Sequence, residues 1–330
     1  MEAGRETLLM QATFKVHRYD PEAGGKPTSQ PYTLDLPEDA TVLDGLFKIR
    51  EELDGTLAFR ASCNRGFCGE CTLRINRGGR LACMTRVATA KNKDGEITVE
   101  PTRFVRVLKD LVYDVDRQLW QKIKAVEPWL QPNGGVQPEH EHIIPDEQLR
   151  AVRNAMKCYY CGLCDEGCSV IPFDNTFLGP TALTKAYRFI ADPRDHAQAH
   201  RLRLVGEPKG MWDCVHCYEA DEHCPRGIDP TARIIDIREK AVAMGVKSGA
   251  TNPQVARHYD SFAASVKKTG WLDEGRLALE TWGMRRIIGL LPVAWRAFRR
   301  GKLPIPYRHP KRPGAERIRR IFEKAERRPS

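Results

Sequence analysis

The first third of the chain alternates apolar and polar residues as half-buried strands do. Over residues 10–20, Ala12, Phe14 and Val16 interleave with Thr13, Lys15 and His17; a turn rich in proline and glycine at 21–27 follows, and the alternation resumes in Tyr32-Thr-Leu-Asp-Leu36. This pair predicts a hairpin. Thr41 then caps a helical spacing, Val42, Leu43, Leu46, Phe47 and Ile49, that ends near Gly55. Residues 72–75 predict a strand and Gly78-Gly79 the turn after it, so that a small open sheet grips one helix. Residues 103–130 read as helical at their centre. Leu119, Trp120, Ile123 and Val126 centre a helix that stops at Pro128-Trp129-Leu130, and residues 147–157, 180–190 and 194–204 predict further helices. Asp229-Pro230 reads as an N-cap with proline in the first turn of a helix closed by Gly245. Residues 131–146, rich in Pro, Gly and Glu, read as a connection between domains. Asn252-Pro253 opens a last helical region, through His258, Phe262 and Val266 to Gly270, then 272–282. Its final spacing, Met284, Ile287, Ile288, Leu291, Trp295 and Phe298, runs beside Arg285, Arg286, Arg296, Arg299 and Arg300 and is interrupted by Pro292. That stretch predicts either an interfacial helix on an anionic membrane or a helix packed on a partner subunit. The fold class expected is α+β.

Eleven cysteines supply the chemistry. In Cys158-Tyr-Tyr-Cys161-Gly-Leu-Cys164-Asp-Glu-Gly-Cys168, three thiolates two residues apart can wrap a cubane iron-sulfur cluster, whereas the fourth, after a longer step, points to a second cluster. The partner run is Cys214-Val-His-Cys217-Tyr-Glu-Ala-Asp-Glu-His-Cys224-Pro225, closed by the Cys-Pro that ends such runs in two-cluster ferredoxins. Each run therefore lends its last cysteine to the other's site: Cys158, Cys161, Cys164 and Cys224 to a 4Fe-4S cluster, and Cys168, Cys214 and Cys217 to a third centre. Earlier in the chain, Cys63-Asn-Arg-Gly-Phe-Cys68-Gly-Glu-Cys71 has the C-x4-C-x2-C spacing of a 2Fe-2S loop, with Cys83 as its fourth ligand. Gly66 and Gly69 would let backbone N–H groups approach the sulfurs. The third centre is one thiolate short. Either it is a 3Fe-4S cluster, or it is a second 4Fe-4S cluster whose last iron takes Asp221, Glu219 or His216, with His223 a further candidate. Arg65, inside the 2Fe-2S loop, is expected to face solvent or a partner, and Trp212 to pack in the core.

Charge changes the picture only at the end of the chain. Of the net +10 over 330 residues, the stretch from Arg285 onward carries fifteen Lys/Arg against three Asp/Glu. No basic start with an apolar run opens the sequence at Met1–Glu6, and the apolar run 287–295 is too short to span a bilayer, so the expectation is a cytoplasmic, at most peripheral, protein whose thiols are ligands rather than disulfides. No Gly-rich dinucleotide loop follows a strand and no substrate-catalytic residues stand out. The competing reading of CxxC pairs is structural zinc in a nucleic-acid-binding protein. Ferredoxin spacing in two runs and a Cys-Pro ending argue against it, as does the placing of the basic charge outside the cysteine regions, so no nucleic acid is expected as a partner.

The motifs together resemble the iron-sulfur subunit of succinate dehydrogenase and fumarate reductase. The matching residues are Ser62-Cys63 to Cys71 with Leu81-Ala-Cys83, Leu108-Lys-Asp-Leu111 with Pro128-Trp129-Leu130, the first cysteine run, Phe177-Leu-Gly-Pro180 with Ala186-Tyr-Arg-Phe189, and Cys224-Pro-Arg-Gly227. The resemblance implies a β-grasp 2Fe-2S ferredoxin domain over 1–105, an α-helical ferredoxin domain with two clusters over 106–245, and a basic helical extension over 246–330. It also implies a flavoprotein partner carrying FAD and a membrane-side, quinone-reactive partner, at the cytoplasmic face of the inner membrane. Two departures stand out. Members with a 3Fe-4S centre resemble one another in having the first and third cysteines of the second run, whereas here the first and second are present and the third position is Ala220. Members with the usual quinone site resemble Cys-Pro-x-x-Trp-Trp after the first run; this chain reads Cys168-Ser-Val-Ile-Pro172-Phe173. The stretch 258–270, with Gly301-Lys-Leu-Pro304 and Arg320-Ile-Phe-Glu-Lys324, is similar to the extension of heterodisulfide-reductase-like iron-sulfur subunits. That likeness implies a cysteine-rich membrane-side partner, or a related heterodisulfide-reductase-like or other dicarboxylate reductase.

Overall fold

The computed structural model describes residues 9–132, 144–246, 253–302 and 313–326. The reading of Met1–Glu6, most of the 131–146 connection, the Asn252 start signal and the end of the Gly301–Pro304 motif lie outside the described residues. The chain divides into two compact units, Met1–Arg201 with Lys209–Ile237, and Leu202–Pro208 with Arg238–Ser330.

In the first unit the alternating segments pair as β1 (Leu9–Arg18) and β2 (Thr28–Pro37), antiparallel, with Phe14 opposite Tyr32. The helix α1 (Val42–Lys48) starts where Thr41 and Asp44 make a reciprocal capping box, and runs on as a wider turn over Ile49–Leu53. Then come β3 (Thr72–Ile75), β4 (Gly78–Leu81), a short α2 (Val87–Ala90) and β5 (Glu96–Glu100). The sheet order is β2-β1-β5-β3-β4, with β5 parallel to β1. This is a β-grasp sheet, with α1 held against Phe14, Val16, Leu73, Ile75, Ile97 and Val99. Each of these buried side chains contributes on the order of 1.5–3 kcal/mol.

The turn between β3 and β4 is Asn76-Arg77, both at positive φ (48° and 69°), and Gly78-Gly79 belongs to the strand. Asparagine tolerates that backbone, and its side chain is fixed by accepting the Thr98 N–H at 2.8 Å. A second hairpin, β6 (Val107–Lys109) and β7 (Val112–Tyr113), precedes the helices and was not legible in the helical pattern of that region. Its turn residue Asp110 is buried and accepts from Arg18 Nε, Tyr19 N and Ala58 N at 2.9–3.0 Å, so the Leu108-Lys-Asp-Leu111 motif is a clamp on the end of β1.

The helical part holds α3 (Gln121–Ala125), α4 (Asp146–Arg153), α5 (Leu163–Glu166), α6 (Gly179–Ile190), α7 (Gln198–Gly206), α8 (Glu219–Glu222) and α9 (Pro230–Ala243). The helix expected from 194 starts at Gln198, after a turn in which Asp195 accepts the Ala197 N–H. Asp195 also forms a bidentate pair with the buried Arg201, whose guanidinium reaches the carbonyls of Glu127 and Trp129. The Pro128-Trp129-Leu130 stop is thereby held by charge-assisted bonds.

The second unit contains α10 (Pro253–Thr269), α11 (Glu274–Gly289, bent at Gly283), α12 (Leu291–Arg299) and α13 (Ala315–Glu326). Ser265 Oγ donates to Trp271 O and accepts from Asp273 N, tying the end of α10 to the start of α11. Among the described residues no helix is long and apolar enough to cross a membrane.

Candidate iron-sulfur sites

Cys63, Cys68 and Cys71 sit on the loop before β3, and Cys83 on the turn after β4. The loop curls with Asn64, Gly66 and Gly69 at positive φ. That curl aims N–H groups inward: Arg65, Phe67 and Cys68 donate to Cys63 Sγ at 3.2–3.4 Å, and Gly66 donates to Cys83 Sγ at 3.2 Å. The Arg65 and Phe67 N–H groups lower the Cys63 thiol to about 7, whereas burial pushes Cys71 up to about 12. Donors aimed at sulfur and desolvated thiols fit a cationic iron centre that shares its charge with the sulfurs. Arg65 is exposed, as expected.

Cys158, Cys161, Cys164 and Cys224 line one cavity, with Tyr159, Thr181 and Arg226. These are the four cysteines paired by spacing. Burial raises Cys158 to about 11, Cys161 to about 12 and Cys164 well above its ordinary value. Charged thiolates are costly there unless metal neutralises them. Ile228 N–H points at Cys224 Sγ from 3.4 Å, and the Thr181 hydroxyl lies 2.9 Å from Cys164 Sγ.

The third group is arranged differently. Cys168 is buried, Cys214 half-buried and Cys217 exposed; Cys214 lies close enough to Cys168 to help raise its thiol, chiefly raised by burial, to about 11. The Ser169 hydroxyl donates to Cys217 Sγ at 2.8 Å. Phe173, where the family pattern has tryptophan, is 92% exposed.

The two cysteine runs share one backbone design. Each starts with a 3-10 turn, Ala155–Lys157 or Met211–Asp213. Tyr160 and His216 take positive φ, and so do Gly162 and Tyr218, just before α5 and α8. Asp165 accepts the Thr181 N–H at 3.0 Å near the start of α6; Asp221 accepts the Thr231 N–H at 2.7 Å near the start of α9. In this correspondence Ala220, buried, stands where Cys164 stands. Asp221 has a capping partner, His223 is engaged with the Glu219 carbonyl at 2.8 Å, and Glu219 is exposed. Trp212 packs in the core. The 56-residue offset between the runs was the signal in the sequence that Asp165 and Asp221 occupy equivalent positions.

The first run is pressed against the sheet. A Cβ on Gly69 would fall 2.8 Å from Cys161 Cα, and one on Gly79 would fall 2.6 Å from Glu166 Cγ, so both positions need glycine for close approach. Glu166 is buried and accepts from Arg103 N at 2.5 Å and Arg103 Nε at 3.0 Å. Leu163 joins the core of the sheet itself.

Two family models match this arrangement: one described as a 2Fe-2S iron-sulfur cluster binding domain over residues 13–120, the other as a 4Fe-4S dicluster domain over residues 154–228. The chain is thus an electron-transfer protein built of two ferredoxin modules. The fumarate reductase iron-sulfur subunit of Mycobacterium tuberculosis (strain CDC 1551 / Oshkosh) is 36% identical over 228 residues, which is 69% of this chain and 91% of that protein. A chain of the Mycobacterium smegmatis Sdh1 complex in the apo form superposes with a TM-score of 0.63 at 26% identity, covering 72% of this chain and 98% of that one. The chain belongs to the family of iron-sulfur subunits of succinate dehydrogenases and fumarate reductases.

Proposed function

We propose that this subunit passes electrons between the FAD of a flavoprotein partner, where succinate or fumarate reacts, and a membrane-side quinone-reactive partner. The observation that carries this reading is the sequence of three thiol sites. The first two have their loops in backbone contact at Gly69 and Cys161, and the third ends on the exposed Cys217. When bound, the clusters supply one-electron chemistry at the sulfur-ligated iron. The chain's own residues hold and tune them. Cys63, Cys68, Cys71 and Cys83 are assigned to the 2Fe-2S site; Cys158, Cys161, Cys164 and Cys224 to the 4Fe-4S site; Cys168, Cys214 and Cys217 to the third.

For the third site we favour a 3Fe-4S cluster. Ala220 offers no donor at the fourth corner, and the Asp221 carboxylate is held by Thr231 N–H. The missing tryptophans after Cys168 and the additional helices beyond the family matches favour a cysteine-rich, heterodisulfide-reductase-like membrane-side partner. The subunit is proposed to be peripheral on the cytoplasmic face of the inner membrane, with substrate catalysis left to the flavoprotein.

Low-temperature electron paramagnetic resonance with iron, sulfide and zinc analysis on anaerobically purified protein tests this. The expected result is about nine iron atoms per chain and a near-isotropic signal in the oxidised state that vanishes on reduction. About ten irons with no oxidised signal would replace the 3Fe-4S assignment, and a colourless zinc protein would end the electron-transfer reading.

A further inference from the structure

The helix α12 has the pattern of a packed helix and none of the packing. Leu291, Ala294, Trp295 and Phe298 recur at i, i+3, i+4 and i+7, which puts them on one face, while Arg296, Arg299 and Arg300 fall on its flank and opposite side. No residue of this helix is buried. Leu291, Trp295 and Phe298 are each more than half exposed, and so are Met284 and Ile288 in the turns before it. The Trp295 and Phe298 rings stack with centroids 6.1 Å apart, and the Arg299 guanidinium lies 5.6 Å over the Trp295 ring. The contrast within the same unit is α13, whose Ala315 is buried and whose Ile318 reaches the Gly270 turn after α10.

Charge identifies what covers this face. From Thr281 to Lys302 the chain has six Arg or Lys and no Asp or Glu. An apolar stripe carrying tryptophan, flanked by arginine and too short to span a bilayer, suits the headgroup region of an anionic leaflet, where apolar burial and attraction to lipid phosphate act together. A protein groove of ordinary composition would supply the first and not the second.

We propose that α12 lies in the plane of an anionic bilayer surface, Trp295 and Phe298 inserted and Arg296, Arg299 and Arg300 at the lipid headgroups. This deepens the peripheral placement proposed above and rests on it. The test is sedimentation of the full-length, cluster-loaded chain with vesicles of phosphatidylcholine alone or mixed with phosphatidylglycerol. The expected result is binding to the anionic vesicles at least about tenfold tighter than to the neutral ones. The pair Trp295→Ala with Phe298→Ala should weaken anionic binding by a further factor of about ten with every charge intact. Both side chains are exposed, so these changes do not threaten the fold. Three outcomes overturn the proposal, and the first two are no sedimentation with anionic vesicles and sedimentation that the aromatic pair leaves unchanged. A third is loss of a subunit from the lipid-free complex in the aromatic variant, which would assign the face to a protein. Visible absorbance and paramagnetic resonance of the same sample report the clusters independently. Failure of vesicle binding in a cluster-loaded chain therefore sinks this inference and leaves the electron-transfer reading standing.

Discussion

The two cysteine runs, 56 residues apart, are built on one backbone and put to opposite uses. At matched positions the first has Leu163, Cys164, Glu166 and Gly167 where the second has Glu219, Ala220, Glu222 and His223. Leu163 and Glu166 are buried, one in the core of the sheet and the other in its ion pair with Arg103, whereas Glu219 and Glu222 are exposed. Gly162 turns freely at positive φ, but its counterpart is Tyr218 at φ 64°, half exposed. The difference teaches that the loop geometry belongs to cluster binding and the side chains to what covers the loop. One run is covered by its own protein, and the other keeps Cys217, Glu219 and Glu222 exposed.

The largest expected effect lies in the covered run. Cys224→Ser should abolish the 4Fe-4S signal and destabilise the helical module as a whole, because the metal–thiolate bonds assigned to Cys158, Cys161 and Cys164 would be lost with the cluster. Cys71→Ser should remove the 2Fe-2S signal alone. Loss of every signal from Cys71→Ser, followed by paramagnetic resonance and thermal melting, would merge the two modules into one cooperative unit.

Restoring symmetry comes next: Ala220→Cys should bring iron from about nine to about ten per chain and silence the oxidised signal. An unchanged iron content would mean that Ala220 is not at the empty corner. Smaller again is the paired carboxylate comparison. Glu166→Ala should cost about 2–3 kcal/mol by leaving Arg103 without its partner, while Glu222→Ala should stay within about 0.5 kcal/mol; denaturant midpoints separate the two. The smallest effect is expected from Ser169→Ala. Losing its hydrogen bond to Cys217 should lower the third centre's midpoint potential by tens of millivolts, roughly what a bond of about 1 kcal/mol implies for one electron. A redox titration that finds no shift would show that the hydroxyl does not tune the site.

Much of this was legible in the sequence because it is local. Strand alternation around Phe14, the Thr41 cap and the cysteine spacings each depend on a few neighbouring residues, and the family resemblance followed from them. What was missed is set by contacts between distant residues. Gly78-Gly79 looks like a turn in sequence, yet Gly79 is small because Glu166 lies over it, 87 positions later. Asp221 looks like a spare ligand until Thr231 is seen to donate to it. Polar satisfaction of that kind cannot be read from composition, since it depends on where the next helix begins.

The close approach of Gly69 to Cys161 also carries a consequence for how the molecule is made. Cys161 is partly buried against the core of the sheet and is approached there by the Gly69 backbone, so the docked modules narrow the way to the first run. If the sites are loaded as proposed, iron and sulfide are expected to reach the first run before the two modules close, whereas the third site, with Cys217 at the surface, stays open to later loading.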